Sequence, residues 1–172
     1  MTKIVISPGH TKDYPGVRKN GKVEHDIVNK LSDILVEDLK NQDVDVIKID
    51  GILKDKVEII NKIKPLIAIE LHLGNSNNNA VRGVRAFYKP SQVKSRKLAS
   101  HLLDRCSSNL GLPKVGYYSG WYKKITPSMV NNGRAPADWT PKIDIFLAKL
   151  EDPIIPVLFE PFFISSQADV ES

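Results

Sequence analysis

A single cysteine, Cys106, stands among the 172 residues. An internal disulfide is thereby excluded, and so is a zinc cluster built on thiolates. No apolar run approaches the roughly 20 residues that a membrane-crossing helix needs, so no membrane partner is expected. The N-terminal apolar stretch Ile4-Val5-Ile6 is closed at once by Ser7-Pro8-Gly9, too soon for the apolar segment of a signal peptide. Synthesis in a cytoplasm follows as the expectation. Arginine-rich stripes interleaved with aromatics are missing too. The net charge of +5 suits an anionic partner such as a cell wall. Lysines nevertheless alternate with acidic residues, as on a solvated surface, and no nucleic-acid partner is expected. Internal repeats, low-complexity tracts and interdomain linkers are likewise absent from the sequence. What is present is an ordinary globular composition, 41% hydrophobic and 26% charged over 172 residues. That is enough for one domain with a real core, spanning 1–172.

The hydrophobic pattern alternates between two periods. Residues 3–7 are a short β-branched run that reads as a strand, followed by loop composition to about residue 22. Ile27, Val28, Leu31, Ile34, Leu35 and Leu39 recur at three- and four-residue spacing and predict a helix. Residues 44–49 read as a strand. Val57, Ile60 and Ile63 mark a short helix ending before Pro65. Residues 66–72 form an apolar run that ends in polar residues, as a buried central strand would. Residues 84–88 read as a strand, and Ala99, Leu102, Leu103, Cys106 and Leu110 as a third helix. From 112 to 140 no period persists, and the segment reads as irregular. Residues 143–147 read as a strand, and 154–160 as another buried one. Strands alternating with helices predict an α/β fold with a layered sheet.

Three of these strands deliver polar residues at or just past their ends: His10, His72 and Glu160. In open α/β sheets, ligands bind outside the carboxyl ends of strands, where residues distant in sequence converge. Glu24 precedes the first helix's apolar stripe by about one turn and so lies on the inward face. Two histidines and a carboxylate are a common catalytic zinc set, with the fourth position left to water. The ion acidifies that water and polarises a carbonyl, and a second carboxylate moves the protons. On this reading His10, Glu24 and His72 are the ligands and Glu160 is the acid/base. On spacing alone, a histidine after a strand is more often a hydrogen-bonded structural residue, since these separations lack the compactness of a zinc-finger or H-E-x-x-H signal.

A resemblance adds to this reading. Ile4-Val5-Ile6-Ser7-Pro8-Gly9-His10 resembles the opening I-x-I-D-P-G-H-G of the zinc N-acetylmuramoyl-L-alanine amidases of the amidase_3 type. Glu24 matches that family's ligand glutamate at the start of an amphipathic helix. Glu70-Leu71-His72-Leu73-Gly74-Asn75 resembles its S-x-H-x-N segment, and Gly83-Val84-Arg85-Ala86-Phe87-Tyr88 its G-x-E-V-Y-Y strand. Ser95, Leu98 and Ala99 fall on S-x-x-L-A. Pro156-Val157-Leu158-Phe159-Glu160, followed by Phe163-Ile164-Ser165 and Asp169, resembles its closing motif. The motifs run in the family's order over most of the chain, and the Glu-Leu-His variant is most similar to endolysins of phages with Gram-positive hosts. The chain departs at Thr11 (Gly in the family), at Pro161 and Phe162 (a small-residue turn) and at Ser166 (Asn). The family continues with one more helix after this motif, expected to be absent from a chain ending at Ser172.

The resemblance implies a single twisted, mostly parallel sheet of about six strands flanked by helices. It implies a Zn2+ cofactor held by His10, Glu24 and His72, with Glu160 catalytic. Peptidoglycan is the implied partner and substrate, cut at the amide joining N-acetylmuramic acid to L-alanine. Such an endolysin is made in the host cytoplasm and acts on the cell wall after release, and a monomer is expected. Asn75 and Arg134 are candidate substrate-binding residues. Tyr117, Tyr118, Trp121, Tyr122 and Trp139 read either as a substrate wall or as a lid over a small core. His25, one position from Glu24 and about 100° around the helix, is expected to point away from the site. His101 is expected on the surface. Glu70 shares a strand face with His72, so it reads as orienting that ligand or as one half of an ion pair. Competing readings are a zinc peptidase of the stem peptide and a non-enzymatic wall-binding module; the latter predicts a missing ligand or acid/base, and none is missing.

Overall fold

The computed structural model describes residues 3–90, 92–119 and 145–171. Its strands are β1 (Ile4–Pro8), β2 (Arg18–Lys19), β3 (Lys22–Val23), β4 (Val46–Lys48), β5 (Ile67–Leu71), β6 (Val84–Tyr88), β7 (Lys114–Ser119) and β8 (Ile155–Glu160). Its helices are α1 (Glu24–Lys40), α2 (Leu53–Ile63), α3 (Val93–Leu110), α4 (Ile145–Lys149) and α5 (Gln167–Val170). Six strands form one sheet in the order β4-β1-β5-β8-β6-β7. The first four run parallel. β6 is antiparallel to β8 and parallel to β7.

Successive side chains on a strand point to opposite faces, and the sheet feeds two cores accordingly. Ile6, Leu71, Val157 and Phe159 pack with Val28 of α1 and with Ala99 and Leu103 of α3. Val5, Ala68 and Leu158 pack with Val57 and Ile60 of α2 and with Phe146 and Leu147 of α4. Helices therefore cover both faces. The central strand β8 is buried at every position, which is why its sequence shows no polar alternation. The single α/β domain with a mostly parallel, six-stranded sheet is the expected class. β1, β5 and β8 lie side by side and parallel, so their carboxyl ends open on one edge. β6 begins at that same edge, which sets Arg85 in register with Glu160.

Three local expectations are corrected. Residues 145–149 form a helix, not a strand. Phe146, Leu147 and Leu150 are buried at one- and four-residue spacing, a helical face that a short apolar run does not separate from a strand. Within the segment read as irregular, Lys114–Ser119 is edge strand β7. Its signal is broken by Gly116 and by a register shift against β6, and residues 120–144 lie outside the described residues. The loop before residue 22 contains the β2–β3 hairpin, turned by Asn20 (φ 51°) and Gly21 (φ 68°). Two successive positive φ values are what an Asn-Gly hairpin turn of the primed type requires.

Candidate active site

Each site residue sits where an element begins or ends. His10 follows β1 with φ 66°, a left-handed conformation that costs a non-glycine residue about 1–3 kcal/mol and persists where the surroundings over-determine it. Glu24 opens α1 and is 2% exposed. Its Oε2 accepts from Val17 N at 3.1 Å and lies 3.1 Å from His10 Nε2. Its Oε1 accepts from Leu73 N at 2.9 Å and lies 3.2 Å from His72 Nδ1. His72 follows β5, and the two imidazoles meet edge to face with centroids 4.8 Å apart.

Ligand atoms of His10, Glu24 and His72 all lie within 4.8 Å of one another, the one such metal-competent cluster among the described residues. The 3.1 and 3.2 Å separations are comparable to those between neighbouring donors on an ion bound at about 2.0–2.2 Å. Glycine makes the cradle possible. A Cβ on Gly16 (φ +75°) would stand 2.5 Å from the His10 ring and 2.7 Å from Glu24 Oε2, and one on Gly9 would stand 2.5 Å from the His72 ring. The donor set and its spacing fit a zinc ion.

Glu160 ends β8, is 2% exposed, and lines the same cavity of about 390 Å³ as His10, Glu24, His72, Asn75 and Arg85. Arg85 Nε donates to Glu160 Oε2 at 2.5 Å, and its guanidinium lies over Phe87 and Phe163, 5.1 and 4.9 Å from the ring centroids. Burial pushes the Glu160 carboxyl above its ordinary value, opposed by the hydrogen bond and charge of Arg85. Burial works against ionising Glu24 as well, but the two histidines outweigh it and hold its carboxyl well below the usual range. Burial alone would lower the His72 pKa. Glu24 and Glu70 overcome it and push the imidazole up to about 10.

The structure thus brings His10, Glu24, His72, Glu160 and Asn75 around one cavity, while Arg134 lies outside the described residues. So do Trp121, Tyr122 and Trp139; Tyr117 and Tyr118 are on edge strand β7. His25 is buried, not turned to solvent, and stands apart from the cluster; its Nδ1 has no hydrogen-bond partner among the described residues. His101 is exposed. Of the two readings of Glu70, the structure shows the ion pair, with Lys56 at 2.7 Å; its other oxygen lies 3.4 Å from His72 Nε2. Arg85 and Lys56 were not singled out by residue type. A signal existed for Lys56, a cation four residues before Ile60 on the apolar stripe of α2. Arg85 had none, because only strand pairing sets it against Glu160.

The profile described as Amidase_3, N-acetylmuramoyl-L-alanine amidase, matches residues 4–172. The chain belongs to the Amidase_3 family of N-acetylmuramoyl-L-alanine amidases. No curated protein sequence matches it significantly. Solved structures of amidases share its fold. N-acetylmuramoyl-L-alanine amidase AmiC2 of Nostoc punctiforme superposes with a TM-score of 0.76 at 16% identity, covering 99% of this chain and 84% of that one. The catalytic domain of the amidase CwlV from Bacillus (Paenibacillus) polymyxa var. colistinus gives 0.75 at 17%, covering 99% and 86%. The catalytic domain of the CD27L endolysin targeting Clostridia difficile gives 0.74 at 18%, covering 99% and 87%. At these identities the likeness is one of fold, and the amidase family assignment rests on the sequence profile. Peptidoglycan as substrate fits that family. Among the described residues no helix is long and apolar enough to cross a membrane.

Proposed function

We propose that this Amidase_3 chain hydrolyses the amide between the lactyl group of N-acetylmuramic acid and L-alanine with a zinc ion held by His10, Glu24 and His72. The observation that carries the reading is the convergence of a His–Glu–His donor set and a buried carboxylate, Glu160, on one cavity. When bound, the ion supplies Lewis acidity to the scissile carbonyl and the attacking water. Glu160 takes the proton of that water and returns one to the departing L-alanine amine, so water is consumed and a carboxylic acid and an amine are released. The raised pKa of Glu160 suits a group that must both accept and give a proton. Arg85 fixes the orientation of its carboxylate. Asn75, on the cavity wall, and Arg134 are assigned to substrate binding.

The role proposed is that of a phage endolysin catalytic domain spanning 1–172. It is made in the host cytoplasm, acts on the wall as a monomer after release, and has no nucleic-acid or membrane partner. The Glu-Leu-His motif and the fold shared with an endolysin catalytic domain support this role. The test pairs a metal assay with digestion of purified peptidoglycan by wild type and Glu160→Gln. Wild type is expected to carry about one zinc per chain and to release peptides with free L-alanine amino termini. Glu160→Gln should keep the metal and lose about 10²–10⁴-fold in kcat. Cleavage within the stem peptide, or a wild type without zinc, overturns the assignment.

A further inference from the structure

Lys56 of α2 is 1% exposed. An ammonium so deeply buried is costly unless its protons find partners. Its Nζ donates to Glu70 Oε1 at 2.7 Å and to the Pro8 carbonyl at 2.7 Å. Pro8 stands two residues before His10, and Glu70 two residues before His72. β1 and β5 pair in parallel here, with Pro8 opposite Leu71. The second Glu70 oxygen, Oε2, lies 3.4 Å from His72 Nε2. The other nitrogen of that ring, Nδ1, faces Glu24. Burying an ion pair seldom gains stability over apolar residues of equal volume, so its place between the two histidine-bearing strands is the feature to explain.

We propose that Lys56 and Glu70 form a buried brace that orients and spaces the two histidines for the metal. Glu70 accepts the Nε2–H of His72, leaving Nδ1 as the electron-pair donor toward the ion. Lys56 ties that carboxylate to the backbone of the strand that delivers His10. Both are positioning residues, and the inference rests on the reading of His10, Glu24 and His72 as zinc ligands.

The experiment measures zinc dissociation constants by chelator competition on the full chain, for wild type, Lys56→Arg, Glu70→Gln and the pair Lys56→Met/Glu70→Gln. Unfolding midpoints of the metal-free proteins are recorded alongside. The pair leaves no unpaired buried charge, so it separates positioning from folding. Glu70→Gln and the pair should each bind zinc about 10–100-fold more weakly, the usual cost of losing a group that orients a ligand. Lys56→Arg, which keeps the cation, should retain more affinity than the pair. If the folded pair binds zinc within about twofold of wild type, well under that cost, the brace is only structural and the inference is overturned. Should the pair not fold, Glu70→Gln decides by the same criterion. If wild type itself binds no zinc, the ligand assignment falls and takes this inference with it; if wild type binds and the variants bind equally, this inference alone falls.

Discussion

Zinc binding is expected to expel a proton from His72, and the surroundings of that ring set the size of the effect. In the metal-free fold, burial would lower its pKa, but Glu24 and Glu70 outweigh burial and hold it at about 10. A histidine must be neutral to ligate a metal. At pH 7 the proton is therefore removed against a gap of about 3 pH units, roughly 4 kcal/mol at 1.36 kcal/mol per unit. Apparent zinc affinity should rise about tenfold per pH unit between pH 7 and 9 and level off near 10. Titration calorimetry in buffers of different ionisation enthalpy should count about one proton released per zinc at pH 7. The sign for folding runs the other way. The His72 pKa is raised on folding, so its contribution to the metal-free fold is complete below about pH 6.5. It is lost as pH rises towards 10, and the unfolding midpoint of the metal-free protein should fall across that window. A calorimetric count of zero protons at pH 7 would mean that His72 is already neutral, and the charge-paired picture of the metal-free site would be wrong.

Other consequences are equally open to measurement. Arg85 opposes the upward push of burial on Glu160, so Arg85→Gln should move the acid limb of the kcat/KM profile to higher pH; an unmoved limb refutes the pairing. The Cβ of Gly16→Ala would meet the His10 ring at 2.5 Å and Glu24 Oε2 at 2.7 Å, from a residue at φ +75°. Zinc affinity should drop by about tenfold or more, the scale seen when a ligand's orientation is disturbed, as read by chelator competition. Asp169 accepts from Gly83 N at 2.7 Å, Phe163 N at 3.1 Å and Arg82 Nε at 3.0 Å. Asp169→Ala strips buried backbone donors of their acceptor and should cost about 2–4 kcal/mol in urea unfolding, with the metal site still able to load.

Much of the fold was legible because period and burial agree. The apolar stripes of α1, α2 and α3 and the apolar runs of β5 and β8, each with a carboxylate near its end, announce their elements. Errors fell where local pattern is ambiguous: α4 is a single turn or so with a strand-like composition, β7 is interrupted by Gly116, and the β2–β3 hairpin has strands of two residues each. Tertiary packing alone makes such short pieces regular.

The candidate site divides in the same way. His10, His72 and Glu160 could be picked out from the sequence because each closes an apolar run, and Glu24 because it opens an amphipathic helix. His25 beside Glu24 could be set aside from the sequence because one position along a helix turns a side chain by about 100°; in the fold Glu24 joins the His–Glu–His cluster and His25 is buried outside it. Ser7 and Glu70 occupy places where the matching motifs carry Asp and Ser. The strands pair with those two residues in register, a neighbourhood that only the assembled sheet reveals. What the sequence determined by itself was the class of fold and the residue types able to hold a metal and move a proton, because these follow from local pattern and side-chain chemistry. Only the tertiary structure decided that Arg85 meets Glu160, that Lys56 joins the strands of both histidines, and which nitrogen of His72 faces the cavity, because those contacts join residues up to 75 positions apart and depend on strand order and register.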